Sequence, residues 1–135
     1  MSAPQFLNKA QEAAYHSIDR VQNKDKAGWL RLFAADAVVQ DPVGVSPLDP
    51  AGLGHRGIDA IGRFWDLVNS RNDIRFELRE SYPCADECAN VGTFHITTPD
   101  GNVSQTRLAI VYRVDAQGLI VSLKAYWIFP KDFSV

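Results

Sequence analysis

Midway along this chain the apolar residues change their period, and that change constrains the fold more than any other feature. Before it, Phe6, Ala10, Ala13, Ala14, Ser17, Ile18 and Val21 recur at helical intervals. After it, Ile74, Phe76 and Leu78 alternate with Arg75, Glu77 and Arg79, the pattern of a half-buried strand. Helices followed by an antiparallel meander predict an α+β fold.

Local signals divide the chain further. Ser2 and Gln5 have the spacing of a capping box and predict the start of the first helix. Asn23-Lys24-Asp25-Lys26 breaks the apolar stripe and can cap a shorter second helix, with Trp29, Leu32 and Phe33 on its buried side. Val38-Val39-Gln40-Asp41 predicts a short strand that stops at Pro42, which cannot donate to a ladder. Residues 42–57 hold three prolines and four glycines and predict a long loop, a kind of segment that often serves function. A third helix carries Ile58, Ile61, Trp65 and Val68 on one stripe. Strands are predicted from Ile74, over 89–97, over 103–114 and over 119–129, with turns at 83–87, 99–102 and 115–118.

The last two strands are apolar on both sides. Leu108, Ile110, Tyr112, Leu123, Ala125 and Trp127 form one face, and Ala109, Val111, Tyr126 and Ile128 the other, to which Phe94 and Ile96 are also assigned. Such a sheet needs a cover on each side. The helices supply one, and a second subunit is expected to supply the other.

Composition narrows the function. One domain over residues 1–135 is expected from the length. A net charge of −2 without a basic run gives nucleic acid and anionic membranes nothing to attract, so neither is expected as a partner. No apolar stretch approaches the roughly 18 residues of a membrane span. The segment Met1-Ser2-Ala3-Pro4-Gln5 lacks the pattern of a signal peptide, so a cytoplasmic protein is expected. Cys84 and Cys88 have no second ligand pair nearby and read as two thiols around a hairpin turn, so no metal site is expected.

The stretch Leu32-Phe33-Ala34-Ala35-Asp36-Ala37-Val38-Val39-Gln40-Asp41-Pro42-Val43-Gly44 resembles ketosteroid isomerase, in which the Asp of an Asp-Pro-Val-Gly element is the catalytic base. Residues 57–65 resemble that family's third helix, and residues 118–125 its last strand. The resemblance implies a nuclear-transport-factor-two-like cone: a curved antiparallel or mixed sheet wrapped by three helices around a deep pocket. It also marks departures. The family's oxyanion-hole tyrosine falls at Ser17, its protonated aspartic acid at Ile110, and a supporting tyrosine at Trp65.

On this reading Asp41 is the base, strengthened by apolar surroundings that disfavour its charge. Aligned on the family, His95 and Thr93 face the pocket, and His95 is expected to serve as the missing donor or as an acid/base partner. Ser17, Val21, Phe33, Trp65, Leu108, Ile110, Tyr112 and Trp127 are expected to line the site. The implied activity is a double-bond shift in a steroid or similar polycyclic ketone, without a cofactor. A dehydratase, a polyketide cyclase, or a non-catalytic carrier of a steroid-like or polyketide-like molecule are the alternatives. A homodimer through the outer sheet face is expected.

Overall fold

The computed structural model describes residues 5–129. Its first helix, α1 (Lys9–Gln22), begins later than expected. Asn8 is its cap, and Asn8 Oδ1 accepts the Gln11 backbone N–H at 2.8 Å. Gln5 precedes the helix, and Ser2 lies outside the described residues. The buried side of α1 is Ala10, Ala13, Ala14 and Ser17, small residues that let the helix lie close on a sheet. α2 (Lys26–Leu30) is capped by Asp25, whose carboxylate accepts the Gly28 N–H at 2.9 Å.

Phe33 does not belong to α2, as expected from the apolar spacing. It opens β1 (Phe33–Gln40), because the Leu32 carbonyl accepts the Ile120 N–H at 2.8 Å and draws the chain into the sheet. β2 (His55–Arg56) is a short antiparallel addition to β1, contributed by the Pro/Gly-rich loop. α3 (Ile58–Val68) buries Ile61, Phe64 and Trp65. Then follow β3 (Asp73–Cys84), β4 (Glu87–Thr97), β5 (Val103–Val114) and β6 (Ile120–Tyr126).

The sheet order is β2-β1-β6-β5-β4-β3. β1 runs parallel to β6 and every other pairing is antiparallel, so the sheet is mixed and open. The hairpin between β3 and β4 is tighter than expected: Cys84 pairs with Glu87 around Ala85, which has φ 51°. This turn sets the parity of β4, sending Cys88, Asn90, Gly92 and Phe94 inward. Gly92 lets β3 and β4 approach closely where the sheet curves, since a Cβ there would run into the Phe76 ring and the Glu77 carbonyl oxygen.

Leu108, Ile110 and Tyr112 of β5 and Leu123 and Ala125 of β6 form the buried inner face with Ala37 and Val39 of β1. They pack against Ala10, Ala14, Trp29, Ile61, Phe64 and Trp65 of the helices. On the outer face Tyr126 is 47% exposed and Ile128 92% exposed.

Candidate active site

Asp41 follows β1 directly. Period-2 alternation puts it on the side of Ala37 and Val39, both fully buried. The chain stays beside β6 after the strand ends, because the Val43 N–H donates to the Ala125 carbonyl at 3.0 Å. Two residues past Ala125, Trp127 donates its Nε1–H to Asp41 Oδ1 at 2.6 Å. Among the described residues no other hydrogen bond reaches this carboxylate. Burial pushes the Asp41 carboxyl up from its ordinary 3.8 to about 6, and the Trp127 bond only partly opposes that rise.

A second polar group lies inside the fold. Ser17 Oγ accepts two hydrogen bonds, from Trp29 Nε1 and from the Tyr112 hydroxyl, each at 3.0 Å. One serine thus joins α1, α2 and β5. Burial drives the Tyr112 hydroxyl well above its ordinary pKa, with the Asp41 charge adding to the effect, and the phenol stays protonated.

Ser17, Ile18, Val21, Phe76, Phe94 and Tyr112 surround a cavity of about 20 Å³. That is room for roughly one water, whereas ligand sites commonly exceed about 300 Å³. The deep pocket implied by the resemblance is therefore not open in this structure, and Asp41 does not line this cavity. Phe33 and Trp65 pack against Trp29, with ring centroids 4.7 and 5.2 Å away, as an aromatic core. Leu108 and Ile110 are buried on the inner sheet face, and Val21 and Trp127 are half-buried at its margins.

His95 is not on the inner face. Phe94 takes that place, with its ring 4.9 Å from Phe76, so the alternation turns His95 outward. There His95 Nε2 lies 3.1 Å from Glu77 Oε1, and Arg79 donates to Thr93 Oγ1 at 2.7 Å. Phe94, and with it Ile96, was expected on the outer face and belongs to the inner one. The strand has apolar residues at both parities, and only the hairpin register decides between them. His55 sits with its ring 4.9 Å from Phe64, and burial lowers its pKa against the opposing pull of Asp49. A larger concavity of about 840 Å³ is an open groove on the outer face, bordered by Asp36, Arg56, Glu87, Arg113, Lys124 and Tyr126, away from Asp41.

Sequence reasoning missed Trp29 as the partner of Ser17, and it missed Asn90, an inward polar residue on β4 that is 2% exposed. The signal for Asn90 was an amide inside an apolar strand, legible only once parity is known. Among the described residues no helix is long and apolar enough to cross a membrane, and no group of three His, Cys, Asp or Glu is placed to hold a metal ion.

An open mixed sheet covered by three helices, with an acid at the end of its first strand, defines the NTF2-like α+β class. Within it, a model of the SnoaL-like domain matches residues 14–123, and this chain belongs to that family. It is 27% identical over 124 residues to an uncharacterised PhzA/B-like protein of Pseudomonas aeruginosa, covering 87% of this chain and 83% of that protein. It is similar to RV0760c of Mycobacterium tuberculosis, solved in complex with estradiol-17beta-hemisuccinate: 35% identity, TM-score 0.85, 90% of this chain and 95% of that one. It is equally similar to a Δ5-3-ketosteroid isomerase from Mycobacterium sp., at 35% identity and TM-score 0.86 over 90% of this chain and 95% of that one.

Two outcomes follow from the geometry. His95→Ala removes an outward-facing contact, so ligand affinity measured by fluorescence titration stays unchanged, and the fall in Tm is far smaller than for the core truncation Ile110→Ala. Asp41→Asn changes stability in a pH-dependent way. Because the folded carboxyl binds its proton more tightly than the unfolded one, that contribution is complete below pH 3.8 and is lost as pH rises through about 6. Urea denaturation should find the Asn variant more stable than wild type at pH 8, by at most about 3 kcal/mol, and the difference should vanish near pH 3.5.

Proposed function

We propose that this chain takes up a steroid-like or other polycyclic ketone beneath the sheet, and that Asp41 moves a proton on it. The observation that carries this reading is the placement of the Asp41 carboxyl on the inner side of the sheet beyond Ala37 and Val39, with one oxygen held by the Trp127 indole and burial pushing its pKa up to about 6. A base of that strength suits removal of a proton from the carbon beside a carbonyl near neutral pH. Asp41 accepts that proton as the double bond migrates, then returns it to a more distant carbon. The exchange is redox-neutral and calls for no cofactor. Uptake requires the half-buried Ile18, Val21 and Phe94 to move apart, since the existing cavity is too small. The ligand and reaction of the two mycobacterial proteins support the substrate class.

A second reading, a non-catalytic binder, is favoured by one observation. Ile110 has no polar atom, and the Trp29 and Tyr112 protons are both spent on Ser17 Oγ, so of the two family positions only the Ser17 hydroxyl keeps a proton to give an enolate. A dehydratase or cyclase of related chemistry would use Asp41 in the same way. The reading extends to a homodimer, with a second copy covering Ala109, Val111, Tyr126 and Ile128. Sedimentation at micromolar concentration should give twice the monomer mass, and a stable monomer would remove the dimer.

The kinetic test uses a β,γ-unsaturated ketosteroid. Isomerisation should be measurable but slower by roughly a hundredfold or more than in an enzyme with a full oxyanion hole. Asp41→Asn should abolish turnover and leave steroid affinity largely intact. For wild type, kcat/KM should fall about tenfold per pH unit below about pH 6, where the base becomes protonated. Tight binding with no turnover above the buffer rate would leave the binder reading in place.

A further inference from the structure

We infer that the Asn90 side-chain amide is the polar anchor of the interior site and donates to an acceptor oxygen of the bound apolar molecule. The inference rests on the preceding reading only in taking the interior as the ligand site.

Asn90 lies on the inner face of β4 and is 2% exposed. Its Nδ2 is buried without a hydrogen-bond partner. A chain of hydrogen bonds runs to the oxygen of the amide. The Leu7 backbone N–H can only donate, and it does so to Gln11 Oε1 at 2.9 Å. The other end of the Gln11 amide must then be the donor, and Nε2 gives its proton to Ser81 Oγ at 3.0 Å. The Ser81 hydroxyl donates to Asn90 Oδ1 at 2.7 Å and also lies 3.3 Å from Cys88 Sγ. The Cys88 thiol points to the same oxygen at 3.6 Å. Oδ1 faces β3, and Nδ2 lies away from that contact with no partner of its own.

The neighbours of Nδ2 define the site. Asn90 is directly opposite Ile110 on β5, with side chains about 5 Å apart at Cβ. The next inward pair is Cys88 with Tyr112, and Tyr112 lines the interior cavity. A buried N–H with no acceptor is costly, and native folds keep few of them without a reason. Three side chains are spent here on aiming this one. A ketone, enolate or phenol oxygen entering beside Ile110 would satisfy it, whereas a cation would find no acceptor there.

The test compares probes that differ by one oxygen. Full-length wild type and Asn90→Leu are titrated with 5α-androstan-3-one and 5α-androstane, and separately with 2-naphthol and naphthalene. The Asn90 side-chain amide is followed by through-bond-assigned ¹⁵N NMR in wild type, which does not depend on the variant folding. Wild type should prefer the oxygenated member of a pair by about tenfold, with the Asn90 amide signals moving only for that member. Asn90→Leu should erase the preference while keeping the affinity for the hydrocarbon. Response to the naphthol pair alone would refute the steroid class yet support the anchor. An oxygen preference that survives in Asn90→Leu would overturn the anchor and leave the steroid reading standing. Amide signals that no probe moves would also overturn it, and would assign those protons to a buried water.

Discussion

The parallel pairing of β1 with β6 is the constraint on which the site depends. Two strands that run the same way end on the same side, so the residues just past each C-terminal end meet. In this chain those residues are Asp41 and Trp127, 86 positions apart in sequence and joined by a 2.6 Å hydrogen bond. An antiparallel pairing would have sent the carboxylate to the opposite edge. Parallel neighbours also require a long crossover. Here α3 and the meander of β3, β4 and β5 provide it, and the same crossover lays down the inner face that surrounds the acid.

Retaining that acid has a cost that the surroundings set at a useful level. A carboxylate accepting two or three backbone amides falls below a pKa of about 2 and is a feeble base, whereas one with no partner tends to neutralise itself. Asp41 lies between, with one indole donor and apolar neighbours, at about 6. At neutral pH it is mostly ionised, yet its proton affinity is about a hundredfold above that of an exposed aspartate.

Much of this was legible in the sequence, and what was not has definite causes. The α+β class, the third helix, the 103–114 strand and both faces of β5 and β6 follow from period and turn chemistry alone. Asp41 was singled out through its motif and Trp127 was placed on the inner face by the alternation of β6, while the hydrogen bond between them was not foreseen. The first half of β1 was hidden because Ala34-Ala35-Asp36-Ala37 has no strand preference of its own, and the stretch is pinned to β6 only at its ends, by Phe33 opposite Ile120 and Val38 opposite Ser122. His95 and Phe94 were exchanged because β4 is apolar at both parities, and the deciding feature, a tight turn at Ala85, is not a glycine position. The closed interior could not be read at all, since the same aromatic residues can fill a core or line a cavity.

The polar groups inside the fold bear on what the interior can accept. The buried polar residues among those described are Ser17, Ser46, Asn69, Asn90 and Thr93, none of them charged. Asp41 is a potential anion with no buried cation beside it, and Trp127, Tyr112 and Asn90 are neutral donors. A ligand carrying its own carboxylate in this space would meet the Asp41 charge in a low-dielectric setting, where like charges repel strongly. A cation would pair with Asp41 and quench the base. A neutral ketone would avoid both penalties: its apolar body would replace water, its oxygen would take a neutral donor, and charge would develop only as the proton moved to Asp41. On that proposed transfer the carboxylate would be neutralised as the enolate formed, so the interior would hold one negative charge throughout.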